Sequence, residues 1–173
     1  MTTERNLMTL FDKLIRFLAT GLGLGYAPVA PGTFGTVLGS VLFFLLHTQT
    51  HAWLWRFTLA FAVFAIVIAH LAEKSFGSKD CQKIVIDEVA GVLFCYMLVP
   101  YNTLNLVMGF ILFRLFDVAK IFPANWTQDN FGGGLGVVAD DLVAGIQAGL
   151  ILYYLPQFLE WAHIGTGFLQ RWM

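Results

Sequence analysis

The chain has 173 residues, of which 58% are hydrophobic and only 12% are charged. Soluble domains carry about 25% charged residues, so this composition excludes an ordinary soluble domain and predicts one domain embedded in a membrane. The net charge of −1 comes without a basic arm, which argues against nucleic acid as a partner.

The first predicted element is an amphipathic helix. Residues 7–18 are mostly apolar with helical periodicity, and their three charged residues fall on one side. Such a helix lies on a membrane surface and does not cross it. We therefore divide the chain into a surface helix at 1–19, a membrane bundle at 20–158 and an interfacial tail at 159–173.

A glycine- and proline-rich segment follows, from Thr20 to Val37, and it contains no charge. At membrane depth such a run must be shielded by protein or face water, because it cannot form a regular helix. We expect the next helix to start near Thr36. The backbone amides and hydroxyls around Pro31, Gly32 and Thr33 would then precede a helix N-terminus, an arrangement that binds phosphate. An ordinary capped turn fits the same residues equally well.

Five apolar segments predict an all-α, polytopic membrane bundle with about five membrane segments. They lie at 37–46, 52–71, 83–100, 104–119 and 137–155. The first is short for a span of about 20 residues unless the preceding loop contributes. With the N-terminus in the cytoplasm, eight of the ten Lys and Arg residues fall inside, as the positive-inside rule requires.

Acidic residues stand at the edges of three of these segments, all at one predicted depth. They are Asp87, Glu88, Asp117, Asp140 and Asp141. A carboxylate at the edge of an apolar segment is costly unless it is paired, solvated or bound to a cation. Clustered carboxylates repel one another until a cation neutralises them, and hard oxygen ligands select Mg²⁺ or Mn²⁺. The predicted metal ligands are Asp87, Glu88, Asp140 and Asp141.

Two basic residues accompany the acids. Arg114, Asp117 and Lys120 recur at i, i+3 and i+6, which places them on a broad common face of one helix. A metal beside groups that bind phosphate indicates phosphoryl transfer, with Lys and Arg stabilising charge on the phosphate. A structural ion-pair network among the same three residues is the alternative interpretation.

Four strings in the chain resemble, in order and spacing, the motifs of the bacterial phosphatidylglycerophosphatase A family. They are GLGYAPVAPGTFGT, KIVIDEVAG, FRLFDVAKIFP and GGLGVVADDLVAG. The resemblance implies a Mg²⁺-dependent lipid phosphatase of the bacterial inner membrane, multi-pass, with its active site facing the cytoplasm. It also implies the reaction, conversion of phosphatidylglycerophosphate to phosphatidylglycerol and inorganic phosphate. One departure is visible, because Lys120 is followed by Ile121 where the family usually has proline.

Site residues carry over from the resemblance by position. The implied catalytic residues are Asp87, Glu88, Asp117, Lys120, Asp140 and Asp141. Arg114 and Lys120 fall on the family's basic positions. Together with the segment before the second helix, they give the predicted residues for the substrate phosphate: Pro31, Gly32, Thr33, Arg114 and Lys120. The expected partners are a phospholipid substrate and the bilayer itself.

Two other functions use the same acids. A divalent-cation transporter would use them as a relay, but a relay needs ionisable groups at successive depths and these share one. A scaffold subunit with a structural metal would not need the charge-free Pro-Gly-Thr segment. The residues leave open whether a carboxylate or water attacks phosphorus, how many metals bind, and the oligomeric state.

Overall fold

The computed structural model describes residues 2–78 and 81–161. In these ranges the chain is all-helical, with seven α-helices, one short 3₁₀ turn and no strand, so the predicted all-α class is confirmed. The α-helices are α1 (Thr2–Ala19), α2 (Pro31–Leu46), α3 (His51–Phe76), α4 (Ile86–Met97), α5 (Thr103–Ala119), α6 (Ala124–Asn130) and α7 (Gly133–Trp161). The 3₁₀ turn covers Leu24–Tyr26.

Two described helices, α3 and α7, are long and apolar enough to cross a membrane. In contrast, α2 has 16 residues and α4 has 12. At 1.5 Å per residue these two are about 24 and 18 Å long, short of a hydrocarbon core of roughly 30 Å. The long apolar helices support a membrane protein, and the count of five membrane segments stays a prediction.

Helix α4 lies at the centre of the bundle. Ten of its residues are buried, and it packs against α2, α3, α5 and α7. Its sequence explains this position, because a helix that is apolar on all sides is stable only when other helices surround it. The two acids in its first turn are therefore carried into the interior of the bundle at one end.

Helices α4 and α7 cross in backbone contact at two glycines. A Cβ added at Gly145 would collide with the carbonyl oxygen of Gly91, and one added at Gly91 would lie 2.6 Å from the backbone oxygen of Asp141. One turn further, a Cβ at Gly149 would lie 2.8 Å from the carbonyl oxygen of Cys95. Small residues repeated at i and i+4 let membrane helices approach this closely.

Replacing Gly145 with valine should therefore destabilise the bundle by about 3 kcal/mol or more, because the new side chain meets backbone that cannot rotate away. The loss would be measured as a lower melting temperature in detergent, followed by circular dichroism. Gly132→Val is the matched control, since no atom lies within 4 Å of a Cβ placed there. Equal melting temperatures for the two variants would contradict the crossing described here.

Helix α2 starts earlier than the sequence predicts. It begins at Pro31, and the predicted start near Thr36 is wrong by more than one turn. Proline suits the first helical position because an N–H at that position would have no acceptor within the helix. Two of the glycines that argued against a helix, Gly32 and Gly35, lie in α2, and both are buried. A Cβ at Gly35 would lie 2.8 Å from the carbonyl oxygen of Val85, so close packing outweighs their low helix propensity.

The glycine run at 132–134 predicts a hinge within a loop over 123–136. In the structure this range is partly helical, because it contains α6 and the first turn of α7. A Cβ at Gly133 would lie 2.7 Å from Nδ1 of His70, and one at Gly134 would collide with the carbonyl oxygen of Ile66. Gly133 and Gly134 of the predicted hinge therefore serve the close packing of α7 on α3.

Helix α1 packs along α3. Its Arg16 donates a hydrogen bond of 2.8 Å to Oγ of Ser75 and lies 4.8 Å from the ring centroid of Phe76. Four large apolar side chains of α1 remain at least half exposed: Leu10, Phe11, Leu14 and Phe17. This face supports the assignment of residues 1–19 as a surface helix, which stays a prediction. The predicted interfacial tail begins within α7, and from residue 162 onward it lies outside the described residues.

Candidate active site

Five carboxylates from three helices line one cavity at one end of the bundle. They are Asp87 and Glu88 in the first turn of α4, Asp117 in the last turn of α5, and Asp140 and Asp141 in α7. The cavity has a volume of about 390 Å³ and is also lined by Arg114, Lys120, Pro31 and Gly32. The acids and bases singled out in the sequence therefore lie together in space.

The crossing of α4 and α7 brings two of these carboxylates together. Asp87 precedes Gly91 by four residues and Asp141 precedes Gly145 by four, so each lies one turn from the contact and on the same helix face. Since the two backbones touch at the glycines, the acids one turn away have little room to separate. The fold thus holds like charges near one another.

Asp87, Glu88 and Asp141 form the tightest acidic group. One carboxylate oxygen of each lies within 4.8 Å of the others. Asp87 and Asp141 are only 8% and 3% exposed. Oδ1 of Asp87 and Oε2 of Glu88 are buried and have no hydrogen-bond partner among the described residues. Three carboxylates that converge, two of them with a buried oxygen that lacks a partner, match the donor set of a hard divalent cation, so this group could bind a metal.

Asp140 differs from the other three predicted ligands because Lys120 holds it. The ammonium of Lys120 donates a hydrogen bond to Oδ2 of Asp140. Oδ1 of Asp140 is buried and lacks a partner among the described residues. Lys120 follows α5 directly and has a left-handed backbone with φ 47°. Asp87, Glu88 and Asp141 thus lie in one group. Asp140 is ion-paired with Lys120, and its role as a metal ligand stays a prediction.

Lys120 is positively charged at neutral pH. Burial lowers the pKa of Lys120, but its hydrogen bond to Asp140 and the charges of Asp140, Asp141 and Asp117 raise the pKa to about 12. Its side chain is 34% exposed and borders the cavity. A permanently charged ammonium at this position suits the binding of an anion.

Arg114 connects the acids of α4 and α5. Its Nη1 donates a hydrogen bond to Oδ2 of Asp117, one turn along α5, and lies 3.9 Å from Oε1 of Glu88. The alternative ion-pair network is therefore partly present, although Lys120 pairs with α7 and not with Asp117. Among the described side chains, no Lys or Arg lies within ion-pair distance of Asp87 or Asp141.

The N-terminus of α2 closes the cavity on another side. A Cβ at Gly32 would collide with Oε1 of Glu88 and lie 3.0 Å from Nη1 of Arg114. Gly32 is therefore needed for space beside the charged groups and not for a flexible loop. Pro31 also borders the cavity, whereas Thr33 does not line it.

Some residues of the cavity wall were not selected from the sequence. They are Ala30, Cys81, Gln82, Ile84 and Val137. None of them carries charge, and their residue types alone gave no signal. Gln82 and Ile84 could have been predicted as cavity residues from their positions, because they lie five and three residues before Asp87.

Comparison with known proteins shows a match over most of the chain. The sequence model of the family described as Phosphatidylglycerophosphatase A matches residues 17–156. The chain is 34% identical over 140 residues to Phosphatidylglycerophosphatase A of Escherichia coli (strain K12), which covers 80% of this chain and 81% of that protein. It is 30% identical over 167 residues to Phosphatidylglycerophosphatase A of Haemophilus influenzae, covering 91% and 99%.

A third relative has a different name. The chain is 33% identical over 142 residues to a protein of Bacteroides thetaiotaomicron named Putative phosphatidylinositol-3-phosphatase, covering 78% of this chain and 89% of that protein. No solved structure matches the chain. All three relatives are named as phosphatases of phosphorylated lipids.

Proposed function

Because the chain belongs to the phosphatidylglycerophosphatase A family, we propose that it is a Mg²⁺-dependent lipid phosphatase. Its substrate is phosphatidylglycerophosphate, and its products are phosphatidylglycerol and inorganic phosphate. The names of two relatives support this reaction. The observation that carries the mechanism is the acidic group of Asp87, Glu88 and Asp141, which shares a cavity with Arg114 and Lys120. Within this group, Oδ1 of Asp87 and Oε2 of Glu88 are buried without a partner among the described residues.

In this proposal Asp87, Glu88 and Asp141 hold the cation. Their oxygens are hard donors within one small group, and the burial of the unpartnered oxygens makes binding of a cation favourable. Bound Mg²⁺ supplies Lewis-acid polarisation of the phosphoryl oxygens. Asp140 is the fourth predicted ligand: its Oδ2 is paired with Lys120, and its buried Oδ1 has no partner among the described residues.

Arg114 and Lys120 bind the terminal phosphate. A guanidinium matches two phosphate oxygens at once, and an ammonium adds a point charge. Each cation already has a carboxylate partner, Asp117 for Arg114 and Asp140 for Lys120. These partners hold the cations in position before substrate arrives, which removes part of the cost of ordering them in the transition state.

The reaction breaks the bond between phosphorus and the oxygen of the glycerol unit. Arg114 and Lys120 stabilise negative charge on the phosphoryl group as that bond lengthens. Gly32 allows Glu88 and Arg114 to keep their positions at the cavity, since a Cβ there would collide with Oε1 of Glu88 and lie 3.0 Å from Nη1 of Arg114. The nucleophile is either water or a carboxylate of the acidic group.

The site is proposed to face the cytoplasm at headgroup depth of the bacterial inner membrane. A phosphate headgroup stays in the membrane interface, so the acids that act on it must lie near that depth. The cavity lies at one end of the bundle, where α4 and α2 begin and α5 ends. The excess of Lys and Arg predicted on this side supports the cytoplasmic orientation.

Cysteine labelling tests this orientation. Asn130→Cys and Thr103→Cys lie on opposite sides of the membrane in the proposal, and both native residues are exposed. With Cys81 and Cys95 replaced, a membrane-impermeant thiol reagent should label the residue at 130 only in inverted vesicles. The residue at 103 should react only in right-side-out vesicles. Labelling of the opposite sidedness would overturn the cytoplasmic site.

The comparisons give the cation-transporter alternative no support. The five acids line a single cavity at one end of the bundle and not a series of depths. A relay through the membrane would need ionisable groups between this cavity and the other side. The phosphatase therefore remains the function that we propose.

Product analysis tests the proposed reaction. Purified full-length protein in mixed micelles with Mg²⁺ should release phosphate and phosphatidylglycerol in equal amounts from phosphatidylglycerophosphate. Phosphatidylinositol 3-phosphate is the comparison lipid, because one relative is named for its hydrolysis. Faster release from that lipid would reassign the substrate, and no phosphatidylglycerol from the folded protein would contradict the proposal.

A further inference from the structure

A second cavity adjoins the active-site cavity and has no part in the mechanism above. It has a volume of about 520 Å³, and segments 25–28 and 81–83 form most of its wall. Pro31, Cys81 and Gln82 line both cavities. The two cavities are therefore neighbouring parts of one depression, large enough for more than a single phosphate.

Lys83 is the one charged residue among the described residues that line this second cavity. Its ammonium lies 5.5 Å from the ring centroid of Tyr26, a cation–π contact that stabilises it above the ring. No carboxylate of the described side chains lies within ion-pair distance of it. Lys83 thus offers a positive charge that an anion in the cavity could use.

The backbone around Lys83 is fixed in place. A Cβ at Gly25 would collide with the carbonyl oxygen of Lys83, so the 3₁₀ turn packs directly on it. Two residues further, the N–H of Val85 donates a hydrogen bond of 2.9 Å to the carbonyl oxygen of Ala19. Lys83 is also only four residues before Asp87, which links its position to that of the acidic group.

The second cavity borders an apolar surface. Leu22, Leu24, Tyr26 and Val29 lie next to it along the chain and are between 37% and 74% exposed. Exposed apolar side chains that include a tyrosine are typical of the membrane interface. The segment that lines the second cavity therefore also carries side chains suited to a lipid interface.

The chemistry of the substrate requires a second anion in such a place. Phosphatidylglycerophosphate carries a terminal phosphomonoester, a glycerol unit, and then a phosphodiester joined to the diacylglycerol. When the monoester lies by Arg114, the phosphodiester must lie one glycerol unit away towards the lipid. On binding, the negatively charged phosphodiester moves out of bulk water to a position near five carboxylates. This transfer is unfavourable unless a positively charged group lies beside the phosphodiester.

On the basis of the function proposed above, we propose that Lys83 binds this inner phosphodiester. The second cavity then selects lipids in which a phosphodiester separates the hydrolysed phosphate from the diacylglycerol. Phosphatidic acid, whose single phosphate is attached directly to the diacylglycerol, has no group for Lys83. Lys83 is a specificity-determining residue in this scheme, since it touches the substrate away from the reacting phosphorus.

The test compares kcat/KM for phosphatidylglycerophosphate and for phosphatidic acid with matched acyl chains. Lys83→Met should lower the ratio of the two values by about tenfold, the effect expected from losing a charge-assisted hydrogen bond. Most of the loss should fall on KM, because Lys83 lies away from the reacting bond. Lys83→Arg should keep most of the ratio. Lys74→Met, at an exposed lysine outside both cavities, is the matched control.

The outcomes separate the inference from the proposed function. An unchanged ratio in Lys83→Met, or equal losses with both lipids, would overturn the role of Lys83 while the lipid phosphatase stands. Failure of the wild-type protein to hydrolyse phosphatidylglycerophosphate would contradict the proposed function and the inference together. Elution of Lys83→Met at the wild-type volume in size-exclusion chromatography would show that the substitution leaves the fold intact.

Discussion

Replacing Asp87 or Asp141 with asparagine should abolish phosphate release while leaving the protein folded. Asparagine keeps the shape of the side chain but removes its negative charge and one strong oxygen ligand. Removing even the outer partners of metal ligands costs about 10–100-fold, so loss of a ligand should cost more than a hundredfold in kcat. One carboxylate oxygen of each lies within 4.8 Å of the other and of Glu88, so we expect both to be direct ligands of the cation.

The same variants should be at least as stable as the wild type in the absence of metal. Each removes one of several buried like charges that repel one another. The melting temperature in detergent with a chelator present measures this. Asp12→Asn, at an exposed acid of α1, is the matched control and should change neither activity nor stability. Near-normal phosphate release by Asp87→Asn at limiting Mg²⁺ would refute the metal assignment.

Replacing Gly32 with valine should reduce turnover more than a hundredfold. The new side chain would displace the carboxylate of Glu88 and the guanidinium of Arg114 together. One group belongs to the metal site and the other to the phosphate site. In a well-positioned active site, a displacement of about 1 Å lowers the rate roughly 100-fold. We expect valine at position 32 to displace these two groups by more than that distance.

Two control variants accompany this measurement of kcat. Thr33→Ser keeps the hydroxyl, and Thr33 lies outside the cavity wall, so its activity should stay within a few-fold of the wild type. Gly132→Val adds the same side chain where no atom lies within 4 Å. Equal activity for Gly32→Val and the wild type would mean that α2 does not border the reacting phosphate.

The composition and the edges of the apolar segments predicted the class of the protein and the end of the bundle where the acids meet. Acids at the edges of otherwise apolar helices have few stable environments, so their positions along the chain were informative. The resemblance to a family added the reaction and its lipid substrate, whereas the residues alone had indicated that Arg114 and Lys120 suit a phosphate. The spacing of Arg114 and Asp117 at i, i+3 also indicated their ion pair, which is present.

The start of α2 could not be predicted because glycine has two opposite meanings in a membrane protein. It weakens an isolated helix, yet it permits close helix packing once a partner is present. The carbonyl oxygen of Val85, against which Gly35 packs, is far away in sequence. Glycines in the predicted loop at 123–136 were misread for the same reason.

The ion pair between Lys120 and Asp140 also could not be predicted from the sequence. Lys120 stands three residues from Asp117 on one predicted helix, so the local pattern favoured that pair. The left-handed backbone at Lys120 ends α5, and the ammonium of Lys120 pairs with Asp140 of α7. Such a turn depends on tertiary packing, and no local residue pattern identified it.

Metal dependence of phosphate release tests most directly whether the buried carboxylates support hydrolysis through a cation. Purified protein is stripped with a chelator, dialysed, and given phosphatidylglycerophosphate in mixed micelles while Mg²⁺ is titrated back. We expect no release from stripped protein, full recovery with Mg²⁺, and no recovery in Asp141→Asn at the same concentrations. Phosphate release that continues in the stripped protein, or recovers equally in Asp141→Asn, would contradict it.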